Sequence, residues 1–214
     1  MNHIEYYVKK VLKRGLNKLN IHALDKFLII PFMTVREFDR LVSIMKNNRN
    51  KIYIEHGCGG STVFANKYFR EYYSCDTDNN FVQFLNKVMK KNKVEHIDVG
   101  AIREWGYPLE ASVENAEKIS RHFEVLRTKE RKDDYIVFID GRCRVLTALN
   151  YVQSLKPGDL LMVHDYNKRE EYRSILDFFD VVEHVDTLIV LKIKQDVDQE
   201  KLKNQKKAFS QNFI

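Results

Sequence analysis

Lys51-Ile52-Tyr53-Ile54-Glu55-His56-Gly57-Cys58-Gly59-Gly60-Ser61-Thr62 is the stretch around which the chain is organised. Ile52 to Ile54 is a short β-prone run of the kind found in buried strands. Glu55 ends it, three glycines follow within four residues, and Val63 to Phe69 then has helical spacing. The pattern predicts strand, glycine turn, helix. Glycine suits a turn in which the backbone takes positive φ or approaches another group closely. The start of the helix offers unpaired N–H groups to a ligand. The same glycines would equally serve a tight turn that holds no ligand. No Lys-Ser/Thr pair follows them, so this is not a P-loop, and their spacing is not that of the dinucleotide fingerprint.

The 214 residues suit one domain with one sizeable core. Hydrophobic residues make up 44% and charged residues 31%, which predicts a soluble globular chain. No apolar run approaches the roughly 20 residues of a membrane span, and the N-terminus has no apolar signal core. Cys58, Cys75 and Cys143 lie far apart without a CxxC pair, which points away from zinc and disulfides and towards a reducing, cytoplasmic compartment. The net charge of +6 admits an acidic partner. The lysines are scattered, however, and no arginine-aromatic pattern of an RNA-binding module is present.

Outward from the glycine turn, residues 1–50 read as a helical segment packed on the domain. Ile4, Tyr7, Val8, Val11, Leu12, Leu16 and Leu19 share one helical face, a candidate homodimer contact. Thr34 and Glu37 form a capping box for a helix through Phe38, Leu41, Val42 and Met45. Glu71 to Asp78 reads as a second strand. Asp76, 21 residues after Glu55, is placed to take ribose hydroxyls, and Asp78 to cap the helix from Phe81 to Met89. Val94 to Val99 is a third strand, followed by Gly100-Ala101-Ile102 and the sole tryptophan, Trp105. A helix is predicted over Ala111 to Arg131 and a buried strand over Asp134 to Asp140. A helix through Val145 to Val152, a strand ending in His164-Asp165-Tyr166 and a helix over Tyr172 to Phe179 follow. A hairpin, Val181 to Val185 with Leu188 to Ile193, closes the domain of residues 51–193, and 194–214 reads as a basic tail, mobile or helical only on contact. Alternating strands and helices predict an α/β, Rossmann-like doubly wound sheet, mostly parallel, with helices on both faces and a C-terminal antiparallel hairpin.

From Lys51 to Lys192 the chain resembles the class I S-adenosylmethionine-dependent O-methyltransferases. Glu-x-Gly-x-Gly-Gly-Ser-Thr stands where that family has its first motif. Phe-Ile-Asp140-Gly and Lys-Pro-Gly-Asp-Leu-Leu-Met-Val-His-Asp165-Tyr166 are most similar to the catechol and macrolide-sugar branch. The resemblance implies S-adenosylmethionine as cofactor, held by Glu55, Gly57, Cys58, Gly59, Gly60, Ser61, Thr62, Asp76, Thr77, Gly100, Ala101, Ile102 and Asp140. It also implies a site for Mg²⁺ or Mn²⁺ on Asp140 and Asp165, where Tyr166 replaces the usual third ligand and is a poor one for a hard cation.

O-methylation needs an electrophilic methyl, an oxygen in line behind it and removal of a proton. His164 is the expected base, because an ordinary imidazole is largely neutral at cytoplasmic pH. Asp140 is the alternative, as base or metal ligand, and Asp165 completes the catalytic set. Trp105, Arg142, Arg144 and Tyr166 are the expected acceptor contacts. The expected acceptor is a hydroxyl of a sugar, glycan or other small polyol. A nucleic-acid methyltransferase and a non-catalytic binding protein of the same fold are the alternatives. The Asn/Asp-Pro-Pro-Tyr/Phe tetrad and the Pro-Cys nucleophile of two nucleic-acid classes are absent from the sequence.

Overall fold

The computed structural model describes residue 9 and residues 29–89, 94–128 and 130–213. The expected first amphipathic helix and any dimer contact through it lie outside these. The elements are α1 (Val35–Asn47), β1 (Ile52–His56), α2 (Gly60–Tyr68), β2 (Tyr72–Asp76), α3 (Asn79–Val88), β3 (Val94–His96), β4 (Ile102–Arg103) and β5 (Tyr107–Pro108). They continue as α4 (Val113–Arg121), α5 (Glu124–Thr128), β6 (Tyr135–Ile139), α6 (Arg144–Tyr151), β7 (Leu160–Val163), β8 (Phe179–Val185), β9 (Leu188–Ile193) and α7 (Gln199–Ala208).

The seven-stranded sheet has the order β3-β2-β1-β6-β7-β9-β8. β3, β2, β1, β6 and β7 are parallel, and β9 pairs antiparallel with both β7 and β8. The order reverses between β1 and β6, so a crevice opens at their carboxyl ends. Side-chain alternation builds two cores from one strand. On β6, Tyr135, Val137 and Ile139 face the layer of α4, α6 and α7. Ile136 and Phe138 face α1 and α2. A strand buried on both faces reads as an unbroken apolar run, as this one does.

Thr34 and Glu37 cap α1 reciprocally, at 3.2 Å and 2.6 Å. Asp78 caps α3 by accepting the Phe81 N–H at 3.1 Å. The expected long helix over Ala111 to Arg131 is instead two helices, because the chain turns at His122 to bury Phe123 against His56 and Tyr73. Glu170–Asp177 is a 3-10 helix where an α-helix was expected. Its buried residues Tyr172 and Ile175, with Phe178 after them, recur every third position, the period at which 3-10 side chains eclipse.

The C-terminal segment is helical where it packs on the domain, the second of the two states expected of it. Asp198 caps α7 by accepting the Lys201 N–H, Lys201 pairs with Asp177 at 2.8 Å, and Leu202 and Phe213 are buried in the core. Widely spaced apolar residues in a polar stretch left no periodic signal of this. Leu202→Ala is expected to destabilise the protein by about 2–5 kcal/mol, the usual cost of a buried leucine truncation. Urea unfolding measures it, and an unchanged midpoint would mean that the segment is not docked in solution.

Candidate functional site

The site is built where β1 and β6 end side by side. Both the Asp140 and Gly141 N–H groups donate to the His56 carbonyl, at 2.8 and 2.7 Å. Gly57 has φ of +97°, and a Cβ on it would lie 2.2 Å from the Gly141 nitrogen. Glycine is required here by the approach of the two strand ends. The cleft beside this crossing is lined by His56, Gly57, Cys75, Asp76, Thr77, Ile97, Trp105, Ile119, Gly141 and Arg142.

Asp76 is oriented by two amides: Cys58 N–H donates to Oδ2 at 3.0 Å and Asp78 N–H to Oδ1 at 2.9 Å. Burial outweighs these bonds and pushes its pKa up to about 6. A carboxylate has about four acceptor positions, so it keeps capacity towards the cleft. Thr77 lines the cleft too, but its hydroxyl donates to the Gly106 carbonyl at 2.5 Å. That bond holds the tip of the β4–β5 hairpin over Asp76. Gly106 has φ of +66°, with Thr77 Oγ1 2.4 Å from where its Cβ would be. Trp105, at the same tip, has φ of +63° and is 74% exposed. Its ring centroid is 6.1 Å from that of Phe32, which is 76% exposed. A bulky residue in the left-handed region costs about 1–2 kcal/mol, and such strain clusters at functional sites.

Other expected cofactor residues lie elsewhere. Glu55 is fully buried and accepts hydroxyl bonds from Thr62 at 2.5 Å and Ser74 at 2.7 Å. Burial pushes it up to about 7 against those bonds and one from Ser61. Glu55, Ser61 and Thr62 thus form a polar knot behind the turn. Gly59 precedes α2 and donates its N–H to Thr62 Oγ1 at 2.8 Å. Gly60 admits the Ile30–Pro31 backbone, which lies 2.0 Å from where its Cβ would be. Gly100 and Ala101 are exposed and Ile102 begins β4; none of the three lines the cleft, where Ile97 and Ile119 stand instead.

At the ends of β6 and β7 the expected catalytic residues do meet. His164 Nδ1 lies 3.0 Å from Asp140 Oδ1, and its Nε2 lies 3.6 Å from Glu37 Oε2. Arg144 lies 3.3 Å from Asp140 and 3.1 Å from Asp165, and also donates to the carbonyls of His164, Asp140 and Gly141. Asp165 sits at φ of +59°, which turns it back towards Arg144. Burial alone would lower the His164 pKa. The charge and hydrogen bond of Asp140, then Glu37 and Asp165, outweigh it and lift it to about 10. Burial likewise works against an ionised Glu37, but the His164 ring 3.6 Å away and hydrogen bonds from Thr187 and Thr34 hold it well below the usual carboxylate range. These neighbours favour the imidazolium form of His164, where the sequence suggested a neutral imidazole.

Arg144 and Tyr166 are buried too. Tyr166 packs against Tyr172 and His184 in the core rather than in the cleft. Arg142 and Trp105 are the expected acceptor contacts that do reach the cleft; burial, then Arg144 and Arg169, lower the Arg142 pKa. Sequence reasoning missed Glu37 as part of the site, because its capping role already explained it. It missed Phe32, His56, Ile97 and Arg169 because nothing periodic marks them.

No protein-family profile matches the chain, and no curated protein does. Among solved structures, a methyltransferase-like protein from Silicibacter pomeroyi superposes with a TM-score of 0.74 over 86% of this chain and 98% of that one, at 20% identity. The fold is a methyltransferase fold. At that identity the likeness extends to the fold and no further. Precorrin 8w decarboxylase from Methanobacterium thermoautotrophicum is 16% identical, with a TM-score of 0.44 over 76% of this chain and 91% of its own. The mycinamycin-pathway methyltransferase MycE, in complex with Mg and SAH, is 11% identical, with a TM-score of 0.44 over 79% and 53%. Both scores are too low to carry weight. No helix among the described residues is long and apolar enough to cross a membrane.

Since the folded-state pKa of His164 exceeds its ordinary 6.5, its contribution to stability is full below about pH 6.5 and is lost as pH rises through about 10. Glu37, depressed, contributes above its ordinary value of 4.5 and loses that contribution as pH falls. Glu37→Ala, which strands the buried imidazolium on one side, is expected to cost about 3–5 kcal/mol in urea unfolding. It should also lower the His164 pKa read by NMR. An imidazole titrating near 6.5 in the wild type would overturn the ion-pair assignment.

Proposed function

We propose that this chain binds S-adenosylmethionine along the carboxyl edge of its sheet and transfers the methyl group to a hydroxyl of a sugar or other small polyol. The observation that carries the reading is Asp76: a carboxylate at the end of β2, aimed by two backbone amides, beside the closest approach of β1 and β6. A residue so placed suits paired ribose hydroxyls. The residues present fit the cofactor: Gly57 keeps the wall free of side chain, Ile97 and Ile119 offer apolar surface to the adenine, and Trp105 covers the mouth. When bound, the cofactor supplies an electrophilic methyl on a sulfonium.

In this reading the proton of the acceptor hydroxyl goes to Asp140. His164, whose surroundings favour its protonated form, serves as a positioning residue that orients Asp140. Arg144 does the same from the other side and holds Asp165 next to it. These are fixed charges set before the reaction, which is the arrangement that costs no reorganisation at the transition state.

A second reading has one observation in its favour. The ligand atoms of Asp140, His164 and Asp165 lie within 4.8 Å of one another, as the donors of a divalent cation would. Holding Mg²⁺ or Mn²⁺ there requires His164 to lose its proton and Arg144 to release both carboxylates. The positive charge a cation would bring is already present on those two side chains, so no step is routed through a metal.

Titration with S-adenosylmethionine is expected to change the fluorescence of Trp105, the only tryptophan in the chain. Asp76→Ala should weaken binding roughly tenfold to a hundredfold, the value of the lost charge-assisted bonds. Wild-type affinity should also weaken as pH falls through about 6, where Asp76 takes up a proton. No binding by the wild type would sink the proposal.

In a panel of labelled-methyl transfers to saccharides, catechols and RNA, activity should fall on saccharides. There Asp140→Ala should lower turnover by about 10²–10⁴-fold, and chelator should leave the wild type unaffected. Loss with chelator and recovery with Mg²⁺ or Mn²⁺ would select the metal reading instead.

A further inference from the structure

Arg142 differs from the other buried cations of the site. Arg144 and His164 each lie between carboxylates. Arg142 is half-buried, has no ion-pair partner among the described residues, and its Nε is buried without a hydrogen bond. It lines the cleft beside Gly57, Asp76 and Trp105, with its guanidinium 5.7 Å from the centre of the Tyr107 ring. Arg169, from the turn after β7, is close enough to repel it, as is Arg144. Arg169 donates to the Tyr172 hydroxyl at 2.7 Å and likewise has no carboxylate partner among the described residues. Asp76 offsets part of that repulsion but makes no salt bridge to Arg142, and a guanidinium partly drawn out of water beside two others is unfavourable. A planar fork of donors matches a carboxylate or phosphate in two parallel bonds. The missing charge is one that a ligand would bring.

The ligand that fits is the acceptor. Arg142 follows Asp140, the base of the methyl-transfer reading, by two residues, and Gly141 between them lines the cleft with it. We propose that Arg142, in the cleft, with Arg169 supporting it from outside the cleft lining, forms an oxyanion-recognition site and that the acceptor is an acidic sugar, a uronate or sugar phosphate, rather than a neutral polyol. The proposal rests on the methyl-transfer reading for its choice of ligand, but the anion site can be tested apart from it.

Calorimetry with glucuronate, glucose 1-phosphate and glucose as probes, with and without saturating S-adenosylhomocysteine, makes the test. Both anions are expected to bind the wild type at least about tenfold tighter than glucose. Arg142→Gln and Arg169→Gln should each remove roughly tenfold to a hundredfold of that affinity, and Arg142→Lys, which keeps the charge but loses the fork, should remove less. An unchanged urea-unfolding midpoint in Arg142→Gln reports that the variant is folded.

Equal binding of glucose and the anions, or unchanged anion affinity in Arg142→Gln, overturns the proposal. So does weakened S-adenosylhomocysteine binding in Arg142→Gln with intact binding of 5′-methylthioadenosine, which lacks the amino-acid carboxylate. That result would place the guanidinium on the cofactor. Anion binding that depends on Arg142 in a protein that binds no S-adenosylhomocysteine would uphold the anion site and remove the methyl-transfer reading.

Discussion

A row of alternating buried charges joins the parts of the molecule that make the site. It runs from Glu37 through His164, Asp140 and Arg144 to Asp165. Glu37 opens α1, Asp140 ends β6, His164 and Asp165 follow β7, and Arg144 opens α6. Glu37 also accepts the backbone N–H and the hydroxyl of Thr187 in the β8–β9 turn, at 2.6 and 2.7 Å. Each ion is tolerable out of water only because the next one is in place. One interaction therefore fixes where α1 sits on the sheet, how the closing hairpin meets it, and the ionisation of the side chains at the crevice.

The glycines at the strand ends work with this row. Gly57 and Gly141 let β1 and β6 finish in backbone contact, and Gly60 lets the segment before α1 pass over the start of α2. Both contacts bring chain to the places where charge and aromatic groups are needed. The first sets Asp140 beside His164, and the second carries Phe32 to Trp105 at the mouth of the cleft. A side chain at any of these positions would separate backbone that must touch. The glycine pattern is thus first a packing device, and the ligand surface is a consequence of it.

Where sequence reasoning succeeded, it relied on local and periodic physics. The capping box of α1, the cap of α3, the two-faced apolar run of β6 and the alternation of strands with helices are each set by neighbours a few residues away. It failed, or left two states open, where distant contacts decide. The helix over Ala111 to Arg131 breaks because Phe123 has a pocket near His56, and the C-terminal segment folds because α6 and the 3-10 helix after β7 give Leu202 and Asp177 as partners. Neither partner is adjacent in the chain.

The sequence alone therefore determined the order of elements, the sheet they build and the edge at which Asp76, Asp140, His164 and Asp165 gather, since a strand's carboxyl end is a property of the strand. Only the tertiary structure decided what state those side chains are in. The imidazolium form of His164 is favoured first by Asp140 and then by Glu37, which comes from far earlier in the chain and closes its other side. Glu55 accepts from buried hydroxyls, and Arg144 pairs with two aspartates while Arg142 makes no salt bridge among the described residues. Protonation and pairing depend on burial and on charges a few ångströms away, and residue spacing along a chain carries neither.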